Sequence, residues 1–106
     1  MDKMKPLAEK IQCTNGVKLS VQASSFHYST PREDHGPYSD VEVGFIEKYR
    51  IPYGSPESWI PYGEDGTVVS DVFAYIPISL VVDFINENGG IEGSLITVDF
   101  LNSKLS

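Results

Sequence analysis

The chain has 106 residues, of which 41% are hydrophobic and 22% are charged, and its formal net charge is −7. This length supports one core under a small sheet and excludes a second domain of ordinary size. We expect a single domain over residues 1–106, with an N-terminal arm or short helix over 1–16 and an α+β core over 17–101. No stretch is apolar enough for a membrane span or a signal peptide, and the lone Cys13 cannot form an intramolecular disulfide. A cytoplasmic location is the expectation by elimination.

The negative charge is concentrated in the second half of the chain. Residues 1–50 carry seven acidic and seven basic side chains, whereas residues 51–103 carry eight acidic ones and no Lys or Arg. Phosphate binding needs Lys and Arg, so this half is not expected to bind nucleic acid directly. An acidic half suits a basic protein partner instead, although acidic side chains that only promote solubility are the alternative.

The N-terminal residues carry two conflicting signals. Residues 6–12 contain helix formers with apolar side chains at helical spacing, which favours a short helix or an irregular arm. Asn15-Gly16 is equally a strong two-residue hairpin signal, which would pair a short strand near residues 11–14 with the next strand. Of the two, we expect the helix or arm.

Two strands follow, and each is indicated by alternating apolar and polar residues. Residues 17–24 alternate, and so do residues 40–45, where Val41, Val43 and Phe45 are expected to face inward. We expect the two strands to form an antiparallel pair. The connection over residues 25–39 is longer than a tight turn, which favours a functional or mobile loop.

The clearest unit runs from residue 67 to residue 100. Residues 67–76 are rich in β-branched and aromatic side chains, which predicts an inner strand with Phe73 and Tyr75 on one face and Ile76 on the other. Pro77 suits the start of a helix over 78–88 that is apolar except for a narrow polar stripe, and Gly89-Gly90 would end it. The stripe comprises Ser79, Asp83, Asn86 and Glu87.

Residues 94–101 alternate and predict the last strand, returning either parallel through the helix or antiparallel. The fold class that follows is α+β: a small four-stranded, mainly antiparallel sheet with one helix packed on a face. The predicted order is β-β-β-α-β, with long loops between strands 1 and 2 and between strands 2 and 3.

The second long loop gathers aromatic and acidic residues. Ile-Pro-Tyr-Gly occurs twice, at residues 51–54 and 60–63, and each copy has the Pro and Gly of a turn. Tyr and Trp are enriched at binding hot spots, so a partner-binding site is predicted here; the alternative is that these rings cover the sheet. The predicted partner-binding residues are Tyr49, Tyr53, Glu57, Trp59, Tyr62, Glu64 and Asp65.

The first long loop supplies secondary candidates, namely His27, Tyr28, Arg32 and His35. Imidazoles beside Glu33 and Asp34 could bind a metal or act as acid and base. Their spacing matches no metal motif, however, and a solvated loop is the simpler interpretation. We therefore predict no metal site, no cofactor and no catalytic residue, and we interpret Cys13 as a small buried hydrophobe.

These patterns favour a non-enzymatic binding protein that engages a basic partner surface through its acidic half and aromatic loop. A sharper form of this hypothesis is an inhibitor of nucleic-acid-handling machinery, presenting carboxylates on one continuous face where phosphates would lie. Small phage or plasmid anti-defence proteins offer an analogy in size and charge only.

Two other classes of function stay open. A small-molecule or carbohydrate binder would stack its ligand on Tyr53, Trp59 and Tyr62, in a pocket between the two long loops. A metal or acid–base enzyme would use His27 and His35. No membrane binding is expected, and an exposed edge strand leaves a symmetric homodimer open.

Overall fold

The computed structural model describes residues 6–49, 55–64, 66 and 71–105. Four strands form one antiparallel sheet in the order β1-β2-β3-β4, which makes this a small α+β fold as predicted. The element order differs from the prediction, because all four strands precede both α-helices. The elements are β1 (Ile11–Gln12), β2 (Lys18–Gln22), β3 (Asp40–Glu47), a 3-10 helix (Glu57–Tyr62), β4 (Val72–Pro77), α1 (Ile78–Glu87) and α2 (Val98–Leu105).

Strand β1 comes from the N-terminal residues, where we expected a helix or arm. Ile11 pairs with Leu19, and the turn closes with the Cys13 N–H donating to the Val17 carbonyl at 2.7 Å. Gly16 supplies the positive φ that this turn requires, at 97°. The hairpin signal prevails over the helical spacing because pairing buries Ile11 and Cys13 in the core. The core therefore begins before residue 17, and residues 1–5 of the predicted arm lie outside the described residues.

Helix α2 replaces the strand predicted over residues 94–101. The Thr97 hydroxyl accepts a hydrogen bond from the Phe100 N–H at 3.1 Å, which is the side-chain bond of an N-cap. Asp99 in the first turn and Lys104 in the last turn match the helix dipole. The predicted strand is wrong because its alternation covers too few residues to outweigh these helix signals.

Two β-bulges determine which side chains of the sheet point away from the core. The face of the sheet opposite the core is called the outer face. Lys18 pairs with Glu47 and Ser20 pairs with Gly44. Leu19, the single β2 residue between them, is therefore opposite both Phe45 and Ile46. Phe45 is 58% exposed, whereas Ile46 enters the core. The expectation that Phe45 faces inward is wrong because Phe45 is the first residue of the bulge, with a φ of 53°, and the inward position passes to Ile46.

The second bulge lies in β4. Val43 pairs with Phe73 and Val41 pairs with Ile76, which leaves two β4 residues opposite one residue of β3. Phe73 and Ile76 are both buried, and Tyr75 is 43% exposed on the outer face. The predicted division of this strand into faces is therefore also wrong, for the same physical reason. Residues 67–70 of the predicted strand lie outside the described residues.

Helix α1 packs its apolar side against the inner face of the sheet. The polar stripe is confirmed, because Ser79, Asp83 and Glu87 are exposed and Asn86 is half-buried. The predicted start at Pro77 is confirmed as well, since Pro77 is the N-cap residue. The buried residues of the helix are Ile78, Val81, Val82, Phe84 and Ile85.

The two edges of the sheet are short or partly covered. Strand β1 has only two residues. The free side of β4 receives a bridge from Gly63 to Phe73, and the Tyr75 N–H donates to the Tyr28 carbonyl at 3.1 Å. Natural sheets limit edge-to-edge pairing in this way. An edge-strand homodimer therefore stays a prediction that nothing in the fold requires.

Candidate partner-binding surface

The 3-10 helix places the central ring of the predicted aromatic site in the core. Trp59 is 1% exposed, and its ring centroid lies 5.4 Å from that of Phe73 and 5.0 Å from that of Phe84. Burying so large a ring removes much apolar area from water, which favours the inward position. Trp59 thus serves the core and presents no surface to a partner, contrary to the prediction.

The neighbouring tyrosines are half-buried. The Tyr49 ring meets the Phe84 ring edge-on at 4.8 Å, and Tyr62 packs against the core cluster. Tyr53 and Asp65 lie outside the described residues. The described rings of this loop therefore follow the alternative interpretation, in which they cover the core.

The described carboxylates of the second half behave differently, because every one of them faces solvent. Among the described residues, the one ion pair joins Lys10 and Glu47 at 3.1 Å, so no cation of this part of the chain pairs with these carboxylates. Glu87 stands in the last turn of α1, which has no basic residue, and there the helix dipole disfavours a negative charge. The exposed acidic residues are Glu57, Glu64, Asp71, Asp83, Glu87, Glu92 and Asp99.

The first long loop is held by hydrogen bonds. The Asp34 carboxylate accepts bonds from the Ser25 N–H and hydroxyl, both at 2.9 Å. The buried Tyr38 donates its hydroxyl to the Glu33 carbonyl at 2.8 Å. These bonds give the loop a defined path back to the sheet.

The two histidines of this loop are not brought together. His27 Nδ1 lies 2.6 Å from the Ser24 hydroxyl, and His35 is exposed. Within the ranges that the structure describes, no three His, Cys, Asp or Glu side chains are grouped so that they could hold a metal ion. The grouping of ligands that a metal enzyme would need at this loop is therefore not found among these residues.

Tyr28 and Arg32, two of the secondary candidates, reach the outer face of the sheet. The Tyr28 N–H donates to the Glu42 carboxylate at 3.2 Å, and its carbonyl accepts from the Tyr75 N–H at 3.1 Å. The Tyr28 and Tyr75 ring centroids are 5.7 Å apart, and the Arg32 guanidinium lies 5.2 Å from the Tyr28 centroid. Loop and sheet together thus build an exposed tyrosine pair with a cation on one ring.

Two exposed acidic residues lie at the start of β4. The Phe45 N–H donates to the Asp71 carbonyl at 3.0 Å, and on the other side of β4 the Glu64 N–H donates to the Val72 carbonyl at 3.1 Å. We call Tyr28, Phe45 and Tyr75, with Glu42, Glu64 and Asp71, the outer-face surface. It combines rings and carboxylates, as predicted for the aromatic loop, but it shares only Glu64 with the predicted partner-binding residues and only Tyr28 with the secondary candidates. Phe45 and Tyr75 escaped prediction because strand alternation does not reveal a bulge.

A cavity of about 670 Å³ lies between the N-terminal segment and the end of α2. A second cavity of about 450 Å³ shares Ile91 and Glu92 with it. Neither Trp59 nor Tyr62 lines either cavity, so these cavities do not correspond to the pocket predicted between the long loops. Cys13 lines the larger cavity, and burial raises the pKa of its thiol to about 11. The thiol is therefore protonated and unreactive at neutral pH.

Neither α-helix within the described residues has the length and apolar content needed to cross a bilayer. No family model, curated protein or solved structure matches the chain. Its function therefore has to be inferred from its own residues.

Proposed function

We propose that this protein is a non-enzymatic binding module whose acidic second half engages a basic surface of another protein. One observation carries the proposal: every described acidic residue from position 55 to 105 is exposed, and none has a cationic partner among the described residues. Unpaired surface carboxylates keep their full charge available to attract and orient a basic partner. Lys104 is the only basic residue after Arg50, so little positive charge opposes this field.

The acidic stripe of α1 supports the same proposal. Asp83 and Glu87 lie one turn apart on the exposed side of the helix, where like charges repel. Glu87 is also at the helix end that favours a cation. Each effect costs a few tenths of a kcal/mol or somewhat more, and cations of a partner that also reaches this helix would relieve both.

A finer proposal is that the partner handles nucleic acid and that the carboxylates occupy the positions of its phosphates. The support is the excess of negative charge, −7 over 106 residues, with its concentration in one half. Such an inhibitor and DNA or RNA would exclude each other from the same basic groove. Competition by nucleic acid therefore distinguishes an inhibitor from a binding module of other purpose.

The testing experiment is a pull-down from lysate with the wild type and with Glu57→Gln/Glu64→Gln. Glu9→Gln/Glu33→Gln is the matched control, because it removes two exposed charges from the first half. We expect the wild type and the control to retain a partner that the Glu57/Glu64 variant does not retain. High salt should release this partner from the wild type. The proposal would be refuted if retention of the partner were the same at low and high salt and the same for wild type and the Glu57/Glu64 variant. Release of the partner by added DNA or RNA would support the inhibitor form.

Ligand binding is the weaker proposal, because Trp59, the central ring of the predicted stacking site, is buried. The larger cavity, which Lys10, Thr14 and Lys104 help to line, has a volume typical of small-molecule sites. A ligand screen by thermal shift would find a binder there only if this weaker proposal holds. Ile91→Trp, which narrows the cavity, would then abolish the shift.

A further inference from the structure

Two exposed aromatic residues occupy a backbone conformation that usually favours glycine. Phe45 and Tyr75 have φ values of 53° and 52°, and each stands at a β-bulge where the first residue is commonly a glycine in this region. A residue with a Cβ is disfavoured there, and bulky residues in this region are outliers. Strained positions of this kind cluster at functional sites.

Core packing does not account for these two rings. Phe45 is 58% exposed and Tyr75 is 43% exposed, while their neighbours Ile46 and Ile76 fill the core. Each bulge therefore turns one ring outward and keeps the next aliphatic residue inside. The result is two exposed aromatic side chains on the neighbouring strands β3 and β4, and the Tyr28 ring lies beside that of Tyr75.

Charge on this face is divided between its two sides. Glu42 belongs to β3 and its carboxylate accepts from the Tyr28 N–H, Asp71 directly precedes β4, and Glu64 is hydrogen-bonded to β4 through its N–H. Three basic residues lie at or beside Glu47, the last residue of β3: Lys10 is paired with it at 3.1 Å, Lys18 is opposite it in the strand register, and Lys48 directly follows it. The ring-bearing side of the face is thus negative, except for Arg32.

Arg32 indicates which kind of group this side accepts. Its guanidinium lies 5.2 Å from the centroid of the Tyr28 ring, in cation–π contact. A planar guanidinium stacks on aromatic rings and pairs with carboxylates, which the compact ammonium of lysine does less well. The rings of Tyr75 and Phe45 remain exposed, with carboxylate residues beside them.

We propose that the outer-face surface is the docking site for the basic partner and that it binds an arginine-rich segment of that partner. The proposal rests on the proposed function and adds the location and the side-chain chemistry. Guanidinium groups of the segment stack on Phe45 and Tyr75, and Glu42, Glu64 and Asp71 balance their charge. Because the two rings project from paired strands, they need no rearrangement to bind.

The test removes the rings and keeps the backbone. Phe45→Asn/Tyr75→Asn suits the purpose, because asparagine tolerates positive φ better than other residues with a Cβ except aspartate. The matched control is Leu95→Asn/Phe100→Asn, which removes two exposed apolar side chains outside the outer-face surface. Circular dichroism and a denaturation curve establish that each variant is folded. We expect the Phe45/Tyr75 variant to be as stable as wild type, because it retains the bulges.

The probes are a fluorescent peptide of alternating arginine and glycine and its lysine counterpart, titrated at near-physiological salt. We expect tighter binding of the arginine peptide, a loss of about tenfold or more in the Phe45/Tyr75 variant, and a change of less than about twofold in the control. Amide shifts on adding the peptide should centre on residues 45, 71 and 75.

Three outcomes would overturn the proposal, and they differ in what they leave standing. Binding that Glu57→Gln/Glu64→Gln weakens but Phe45→Asn/Tyr75→Asn does not would refute the stacking of guanidinium groups on the two rings and leave the proposed function intact. Absence of any salt-sensitive binding, to the peptides and in the pull-down alike, would remove both. Concentration-dependent self-association that the ring variant abolishes would assign the face to a second copy of the chain.

Discussion

Tyr38 and Asn102 are joined by two reciprocal hydrogen bonds, although 64 residues separate them in the chain. The Tyr38 N–H donates to the Asn102 side-chain oxygen at 2.7 Å, and the Asn102 amide donates to the Tyr38 carbonyl at 3.2 Å. Both residues are buried, so the pair fastens the first long loop to α2 inside the protein. The same loop carries Tyr28 to the outer-face surface.

Asn102→Ala should lower the free energy of unfolding by about 1–3 kcal/mol, because two buried backbone groups of Tyr38 lose their side-chain partner. Urea denaturation followed by circular dichroism measures the change. Ser103→Ala, at the exposed neighbouring position, should change it by less than about 0.5 kcal/mol. Equal stability of both variants would show that the Asn102 contacts contribute nothing.

Trp59→Ala should lower the free energy of unfolding by about 3–5 kcal/mol, since it leaves a large cavity between Phe73 and Phe84. Glu57→Gln on the same 3-10 helix is the control and should stay within about 0.5 kcal/mol of wild type. Chemical denaturation followed by circular dichroism is suitable, because the chain has a single Trp and fluorescence is lost with it. A change of less than about 1 kcal/mol for Trp59→Ala would contradict the buried position of this ring and would make Trp59 a candidate binding residue again.

Gly90→Ala and Gly93→Ala separate steric overlap from backbone strain in the turn between α1 and α2. Both glycines have positive φ, at 71° and 79°. A Cβ on Gly90 would overlap the Ser94 carbonyl oxygen, whereas a Cβ on Gly93 would meet nothing within 4 Å. Gly93→Ala should therefore cost about 1 kcal/mol, and Gly90→Ala should cost more than about 3 kcal/mol or prevent folding. Similar stabilities in a denaturation series would contradict this turn geometry.

The Cys13 thiol should make the protein less stable in alkali. Burial raises its pKa from 9.0 to about 11, so between these values the unfolded chain loses the proton and the folded chain keeps it. The stabilisation is fully present below about pH 9 and is lost by about pH 11, an effect on the order of 2 kcal/mol.

The measurement compares unfolding free energies of wild type and Cys13→Ala across this range of pH. Other alkaline titrations occur in both proteins and largely cancel in the difference. The advantage of wild type over the variant should shrink as the pH rises. A difference that stays constant with pH would mean that the folded thiol titrates as freely as the unfolded one.

Elements whose signals are local and strong are predictable from the sequence alone. Alternation identified β2 and β3, and the polar stripe identified α1 together with its buried side. Thr97 caps α2 in the structure, whereas the short apolar alternation around it predicts a strand. For residues 11–16 the sequence supplied both answers, a helix or a hairpin.

Strand pairing and core packing determine which of two competing signals prevails and which side chains reach the surface. The hairpin at Asn15-Gly16 prevails because β2 is available to pair with it and the core accepts Ile11 and Cys13. Trp59 is inside because Phe73 and Phe84 leave space for its ring. A β-bulge depends on how two strands pair, and a single strand's alternation does not contain that information. The outward positions of Phe45 and Tyr75 are therefore properties of the assembled sheet.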